Sequence, residues 1–260
     1  MKISLKSRRE IELMRAAGRV VFRALQRARE QAKAGMTTAE LDQIVFESYN
    51  SAGACGLFQW YPTYQPGKGF PGNTCISVND EVVHGIPDGR VLRDGDVVSV
   101  DCGVRLGGYC GDSAVTILIG QCSELARKLD RVTRETLDLA IREVRPGRRW
   151  SDVARLMQKL TEDNGFSCVR EFVGHGIGTG LHEDPKVPGC VTPDYLRRGD
   201  FYLQPGQTIA IEPMVIAGGH EVELLSNGWT VVTKDSTSAA HWEHTIAVTP
   251  TGADILTDGR

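Results

Sequence analysis

The amino-acid sequence predicts an α+β protein of two pseudo-symmetric ααββ halves, with helices covering one face of a curved antiparallel sheet. Three observations carry this. A pair of amphipathic helical segments occurs twice, and the glycines that close them, Gly35 and Gly147, Gly53 and Gly165, are each 112 apart. A strand template also occurs twice, as "LRDGDVVSVD" (Leu92 to Asp101) and "LQPGQTIAIE" (Leu203 to Glu212), matching at an offset of 111. Both copies of that template close on an acid, which recurring caps and alternating strands alone do not explain. The period is too long for a solenoid array.

Each element has a local reason. Ser7 and Glu10 form a capping box ahead of Ile11, Met14, Ala17, Val21, Leu25 and Ala28 at steps of three or four, so a long helix runs to about residue 33. Thr37 or Thr38 caps a second helix, with Leu41, Val45 and Tyr49 on its inner face, and Gly53 ends it. A third helix is predicted from about Ser123 to Val144 with a stop at Pro146 and Gly147; a fourth is capped by Ser151 and ends at Asn164 and Gly165. Between the helix pairs, "CGVRLGGYCG" carries Gly107 and Gly108 at its centre and predicts a hairpin. The expected organisation is one catalytic domain over residues 1–260, with halves of about 7–119 and 120–249.

Composition narrows the function classes. A chain of 260 residues with 41% apolar and 24% charged residues has the balance of an ordinary soluble globular protein, and its net charge of −3 offers no attraction for nucleic acid or anionic lipid. Seven cysteines without a CxxC pair, in a chain large enough to fold without staples, suit a reducing cytoplasm and no zinc-finger site. The N-terminus lacks a signal-peptide apolar stretch and no window reaches the roughly 18 to 20 apolar residues of a membrane span, so a soluble, unsecreted protein is expected.

The acids carry the chemistry. Asp101 and Asp112 each end an apolar alternating strand, which is costly unless their charge is compensated. If the hairpin pairs residues whose numbers sum to 213, these two carboxylates face each other about 5 Å apart. They must then share a proton as a dyad or hold a cation, unless both are simply solvated on an exposed face. Glu212 in "TIAIEPM" and Glu243 in "HWEHTIAV" sit in similar apolar settings and weigh against the solvated reading. Four carboxylates and a neutral imidazole carry a charge that two divalent cations cancel, and the mixed oxygen and nitrogen donors suit Mn, Fe, Co or Zn. The stretch "GHGIGTGLHEDP" (Gly174 to Pro185) offers His175 and His182 among glycines; it lacks the Lys and Ser or Thr of a phosphate loop.

The segments "NDEVVHGIP", "DCGVRLGGYCGDSAVT", "GHGIGTGLHEDP", "IAIEPM" and "SAAHWEHTIAVT", in this order over nearly the whole chain, resemble type I methionine aminopeptidases of the pita-bread metallopeptidase fold. The resemblance implies an enzyme that removes N-terminal methionine by hydrolysing the first peptide bond with hydroxide generated at a dinuclear metal centre. It implies Asp101 on one metal, Asp112 and Glu243 bridging both, and His175 with Glu212 completing the other. Glu212 would shuttle the proton, and His84 and His182 would be the catalytic histidines that are not ligands. It further implies a methionine pocket of Phe70, Cys75 and Trp229.

The chain starts at its first helix without a zinc-binding extension, and only 36 residues lie between His175 and Glu212, so a bacterial or organelle-type enzyme is expected. It departs from the family pattern in a longer loop, Leu57 to Phe70, from which the roles of Tyr61 and Tyr64 do not transfer, and in extra residues within Val187 to Phe201. The expected setting is a cytoplasmic monomer acting on nascent polypeptide N-termini, with the ribosome as a place of contact. The alternatives are an Xaa-Pro aminopeptidase or prolidase-like enzyme, which usually carries a large extra N-terminal domain, and a non-enzymatic binding protein on the same fold, which would tend to lose metal ligands.

Overall fold

The computed structural model describes residues 2–62 and 69–260; Tyr64, in the long loop, lies outside the described residues. Helix α1 (Arg8–Gln31) begins at the predicted capping box, with Ser7 as N-cap, and buries Met14, Ala17, Val21, Leu25 and Ala28. Helix α2 (Thr38–Ser51) takes Thr37 as its cap, with Glu40 completing a second box. Strands β1 (Cys55–Gly56), β2 (Cys75–Val78), β3 (Glu81–Val83), β4 (Val97–Leu106) and β5 (Tyr109–Leu118) follow. The helix pair then recurs as α3 (Glu124–Glu143) and α4 (Trp150–Asp163).

After them come β6 (Ser167–Cys168), β7 (Gly174–Gly176), β8 (Glu183–Val187) and α5 (Pro193–Arg198), the last within the extra residues noted above. The chain ends in β9 (Thr208–Ile211), β10 (Met214–Ile216), β11 (Val222–Leu224), β12 (Val231–Thr233), β13 (Ala239–His241), β14 (His244–Val248) and β15 (Ala253–Ile255). This is the predicted α+β arrangement. All seven cysteines are free, and no helix among the described residues is long and apolar enough to cross a membrane.

Equivalent glycines make equivalent bonds in the two halves. The Gly35 and Gly147 amides donate to the Leu92 and Leu203 carbonyls, both at 2.8 Å, and those of Gly95 and Gly206 donate to Ile119 and Val248 at 2.8 and 2.9 Å. All four have φ between 81° and 94°, a region that glycine enters without a Cβ clash. The repeat in sequence is therefore a repeat of backbone turns.

Two expectations need correction. Ser151 is not the cap of α4: Arg149 holds that position and makes no side-chain cap bond. The Asp200 carboxylate, remote in sequence, accepts from the Ser151 amide and hydroxyl instead. The hairpin register also differs. Gly107 and Gly108 both have positive φ and form a two-residue turn closed by Leu106 and Tyr109, so paired numbers sum to 215. Asp101 lies opposite Ala114 and Asp112 opposite Gly103. Both acids also sit within ten-residue strands and do not end them, because the pairing extends past the apolar run.

In the first sheet β4 pairs with β5 on one edge and with β1 and β2 in succession on the other. The largest sheet of the second half has the order β15-β14-β9-β7-β8. Helix α1 packs on β4 and β5, and a Cβ on Gly111 would stand 2.7 Å from the Gly18 amide nitrogen, so two bare glycines let helix and strand backbones touch. The halves meet along a seam between β5 and the β13–β14 region. Thr245 Oγ1 donates to the Asp112 carbonyl at 2.8 Å and accepts from the Asp112 amide at 3.1 Å, and the Glu243 amide donates to Ala114 at 2.9 Å.

Candidate metal centre and its cavity

That seam brings the acids together. Residues paired across an antiparallel ladder project to the same face. Cys75, Asp101 and Ala114 form one such row, and Gly103 with Asp112 forms another, displaced by two residues. Asp101 and Asp112 therefore meet diagonally on one face. Gly103 makes the room: a Cβ there would stand 3.0 Å from Asp112 Oδ1 and 2.8 Å from the Phe58 ring. Glu243 occupies the break between β13 and β14, and Glu212 the break between β9 and β10, where neither side chain is held in a ladder.

His175 comes from the middle of β7, whose glycines admit close backbone contact. A Cβ on Gly174 would lie 2.4 Å from the Ala210 carbonyl oxygen, and one on Gly176 would lie 2.1 Å from that of Asp184. His175 Nδ1 is 2.9 Å from the Gly176 carbonyl, which only accepts, so Nδ1 carries the proton and Nε2 the lone pair. That lone-pair nitrogen is 3.7 Å from Asp112 Oδ2 and 3.5 Å from Glu212 Oε1. Ligand atoms of Asp112, His175 and Glu243 all lie within 4.8 Å of one another.

The electrostatics of the cluster favour either protonated carboxyls or a bound cation. Asp112 and Glu243 are almost wholly buried, at 3% and 2% exposure. Burial pushes Asp112 up to about 7; burial and then the charge of Asp112 push Glu212 up to about 8. Asp101 and Glu243 are raised well above the carboxylate range, first by burial and then by their acidic neighbours. Asp101 Oδ1, Asp112 Oδ1 and Glu243 Oε1 are buried without a hydrogen-bond partner among the described residues. Orphaned carboxylate oxygens are rare in folded proteins, and oxygen-rich donors with one imidazole lone pair match divalent first-row metals. The residues fit such ions.

The same cavity is lined by Phe58, Tyr61, Phe70, Cys75, His84, Phe172, His182 and Trp229, together with Asp101, Asp112, His175, Glu212 and Glu243. The five candidate ligands, His84, His182, Phe70, Cys75 and Trp229 thus all line one cavity. Phe70 meets Trp229 edge to face at 5.2 Å between centroids. His84, at φ 58°, holds a backbone conformation that costs a non-glycine residue energy and tends to persist at functional sites. Its ring is wedged edge-on against Phe172 and Trp229. Burial lowers the His84 and His175 pKa values to about 4 in each case, with His182 adding to the effect. Glu183 is engaged elsewhere, by Lys6 Nζ at 2.6 Å, and Asp184 accepts from the Lys2 amide at 2.8 Å.

Sequence reasoning missed His241. This imidazole is 2% exposed, and its Nε2 has no hydrogen-bond partner among the described residues and stands 3.9 Å from Glu212 Oε2. Burial drops its pKa to about 3, so it is neutral. The available signal was its position two residues before Glu243, which in an extended chain turns both side chains to one side. Phe58 and Phe172 gave no signal, since a lone aromatic residue usually marks core.

The pattern of metallopeptidase family M24 matches residues 12–250. A Bacillus subtilis protein named methionine aminopeptidase 1 is 46% identical over 255 residues, covering 98% of this chain and 99% of its own. The crystal structure of a methionine aminopeptidase from Thermotoga maritima superposes with a TM-score of 0.92 at 42% identity, covering 98% of this chain and 99% of that one. A prolidase from Pyrococcus furiosus aligns with a TM-score of 0.77 at 21% identity over 98% of this chain and 66% of its own, a likeness of fold alone.

Proposed function

The chain belongs to metallopeptidase family M24, and from that premise we propose that it is a methionyl aminopeptidase, which hydrolyses the first peptide bond of polypeptides beginning with methionine. The observation that carries this reading is the set of orphaned, buried carboxylate oxygens in one cavity with an apolar wall of Phe70, Cys75 and Trp229. In this reading Asp101, Asp112, His175, Glu212 and Glu243 would hold two divalent ions from among Mn, Fe, Co and Zn. Ions bound there supply Lewis acidity and lower the pKa of water towards about 7.

The protein's own groups do the rest. Glu212 accepts the proton from the attacking water and passes it on. His182 donates a hydrogen bond to the oxygen that gains negative charge, and His84 contacts the peptide nitrogen and helps protonate the leaving amine. The free α-amino group of the substrate is anchored at the carboxylate cluster, which limits cleavage to the first residue. Phe70 and Trp229 give the methionine thioether the aromatic edges it favours, beside the Cys75 thiol.

We further propose a single catalytic domain whose halves, 7–119 and 120–249, each contribute ligands, and a cytoplasmic monomer that meets nascent N-termini at the ribosome. A paired assay tests the activity: the metal-loaded protein should release methionine from a Met-Ala peptide and leave Ala-Pro intact. Preference for the Xaa-Pro bond would move it to the prolidase branch, and no cleavage of either would favour a binding protein.

A further inference from the structure

Tyr61 Oη lies 2.6 Å from His182 Nδ1, and the two rings meet edge to face with centroids 5.3 Å apart. Tyr61 is held for this contact by its loop stem. Its amide donates to the Phe58 carbonyl at 2.8 Å, its carbonyl accepts from the Phe70 amide at 3.0 Å, and the Trp60 amide donates back to Phe70 at 2.8 Å. Gly69 lets the strands of that stem close, since a Cβ there would stand 2.5 Å from the Trp60 Cα.

A neutral imidazole carries one N–H, and the partner of Nδ1 decides where it sits. At 2.6 Å, Tyr61 Oη and His182 Nδ1 share one hydrogen bond, which either the phenol O–H or the ring N–H must donate. Between a phenol and a neutral imidazole the phenol is by far the stronger acid, so its O–H donates to Nδ1 and the ring proton is left on Nε2.

His175 is arranged the opposite way, with Nδ1–H donating to the Gly176 carbonyl at 2.9 Å and its Nε2 lone pair facing the acids. The two rings touch, with centroids 4.4 Å apart. Neighbouring histidines in one wall thus hold opposite tautomers. One is an acceptor suited to a metal, the other a donor suited to a carbonyl oxygen.

We propose that Tyr61 is a positioning residue for His182: its hydroxyl locks the imidazole as the Nε2–H tautomer, so that the nitrogen left for the substrate is a hydrogen-bond donor. This rests on the role given to His182 above. Without the Tyr61 hydroxyl, the ring is free to place its proton on Nδ1 and present a lone pair to an oxygen that is gaining negative charge, which repels it.

The test is the histidine ¹⁵N spectrum of the metal-free protein, with the His182 signals identified by their loss in His182→Asn. The expected result is His182 as Nε2–H and His175 as Nδ1–H. Tyr61→Phe should move His182 towards a mixture of tautomers and leave His175 unchanged. In the metal-loaded enzyme Tyr61→Phe should lower kcat about tenfold, with KM for a Met-Ala peptide changed less than about twofold, as expected when a group orienting a catalytic residue is removed.

A wild-type His182 with its proton on Nδ1 would overturn the proposal, whatever the variant does. So would a Tyr61→Phe variant that keeps either the wild-type tautomer or the wild-type kcat. Because the spectrum needs no turnover, the expected tautomers in a protein that releases no methionine would instead count against the function proposed above.

Discussion

His175 Nε2 stands 3.7 Å from Asp112 Oδ2, a contact between β7 and β5 that no single sheet contains. It exists because Thr245 bonds both the amide and the carbonyl of Asp112, fastening the two halves where their acids converge. A fold that concentrates four carboxylates in this way is under electrostatic load, and the load gives several predictions.

The first concerns pH. The Asp112 and Glu212 carboxyls, raised to about 7 and about 8, would titrate near 4 in an unfolded chain. A raised folded value means that the protonated group favours folding; that stabilisation is complete below about pH 4 and is lost as pH rises through about 7 and 8. Bound cations prefer the carboxylates and displace those protons. The rise in Tm on adding metal should therefore be larger at about pH 9 than at about pH 6, read by scanning calorimetry with and without metal. A rise that shrinks over this window would contradict the assignment.

Gly103→Ala should weaken metal binding. The added methyl would stand 3.0 Å from Asp112 Oδ1 and 2.8 Å from Phe58, so the carboxylate must shift. Titration calorimetry should show roughly a tenfold or greater loss of affinity, with an overpacking cost of about 1–3 kcal/mol in stability. Unchanged affinity would mean that Asp112 does not bind the ion.

Asp101→Ala and His182→Ala should fail in different ways. Removing Asp101 should reduce the bound metal measured by elemental analysis. Removing His182 should leave the metal content intact while lowering kcat by about a hundredfold, the usual cost of losing one donor to a developing oxyanion. Metal loss in His182→Ala would make that histidine a ligand.

Asp200→Ala should destabilise the fold without touching the chemistry. Its carboxylate accepts from the Ser151 amide and hydroxyl at 3.0 and 2.8 Å, replacing a missing local cap on α4. The loss should cost about 1–2 kcal/mol, a fall in Tm of a few degrees, with kcat for a Met-Ala peptide unchanged. An unaltered Tm would show that α4 needs no cap.

What could be read from the sequence followed from local physics. Ser7 with Glu10, a threonine cap at 37 or 38 and the left-handed glycines act within a few residues of themselves, so α1, α2 and the duplicated turns were legible. Asp101, Asp112, Glu212 and Glu243 stood out because a carboxylate in an apolar run needs compensation. What escaped depends on distant partners or on a shift of one position. The Gly107 and Gly108 pair announced a turn without saying that Leu106 and Tyr109 close it. The Asp200 cap, and the turn of Tyr61 towards His182, are set by tertiary contacts that no local pattern encodes.

The most direct test of the central claim is methionine release from a Met-Ala peptide as Mn, Fe, Co or Zn is titrated into metal-free protein. Activity should be absent at the start, rise with bound metal, and stay absent in Asp112→Ala at the same metal concentrations. No turnover with any of the four ions would contradict the account.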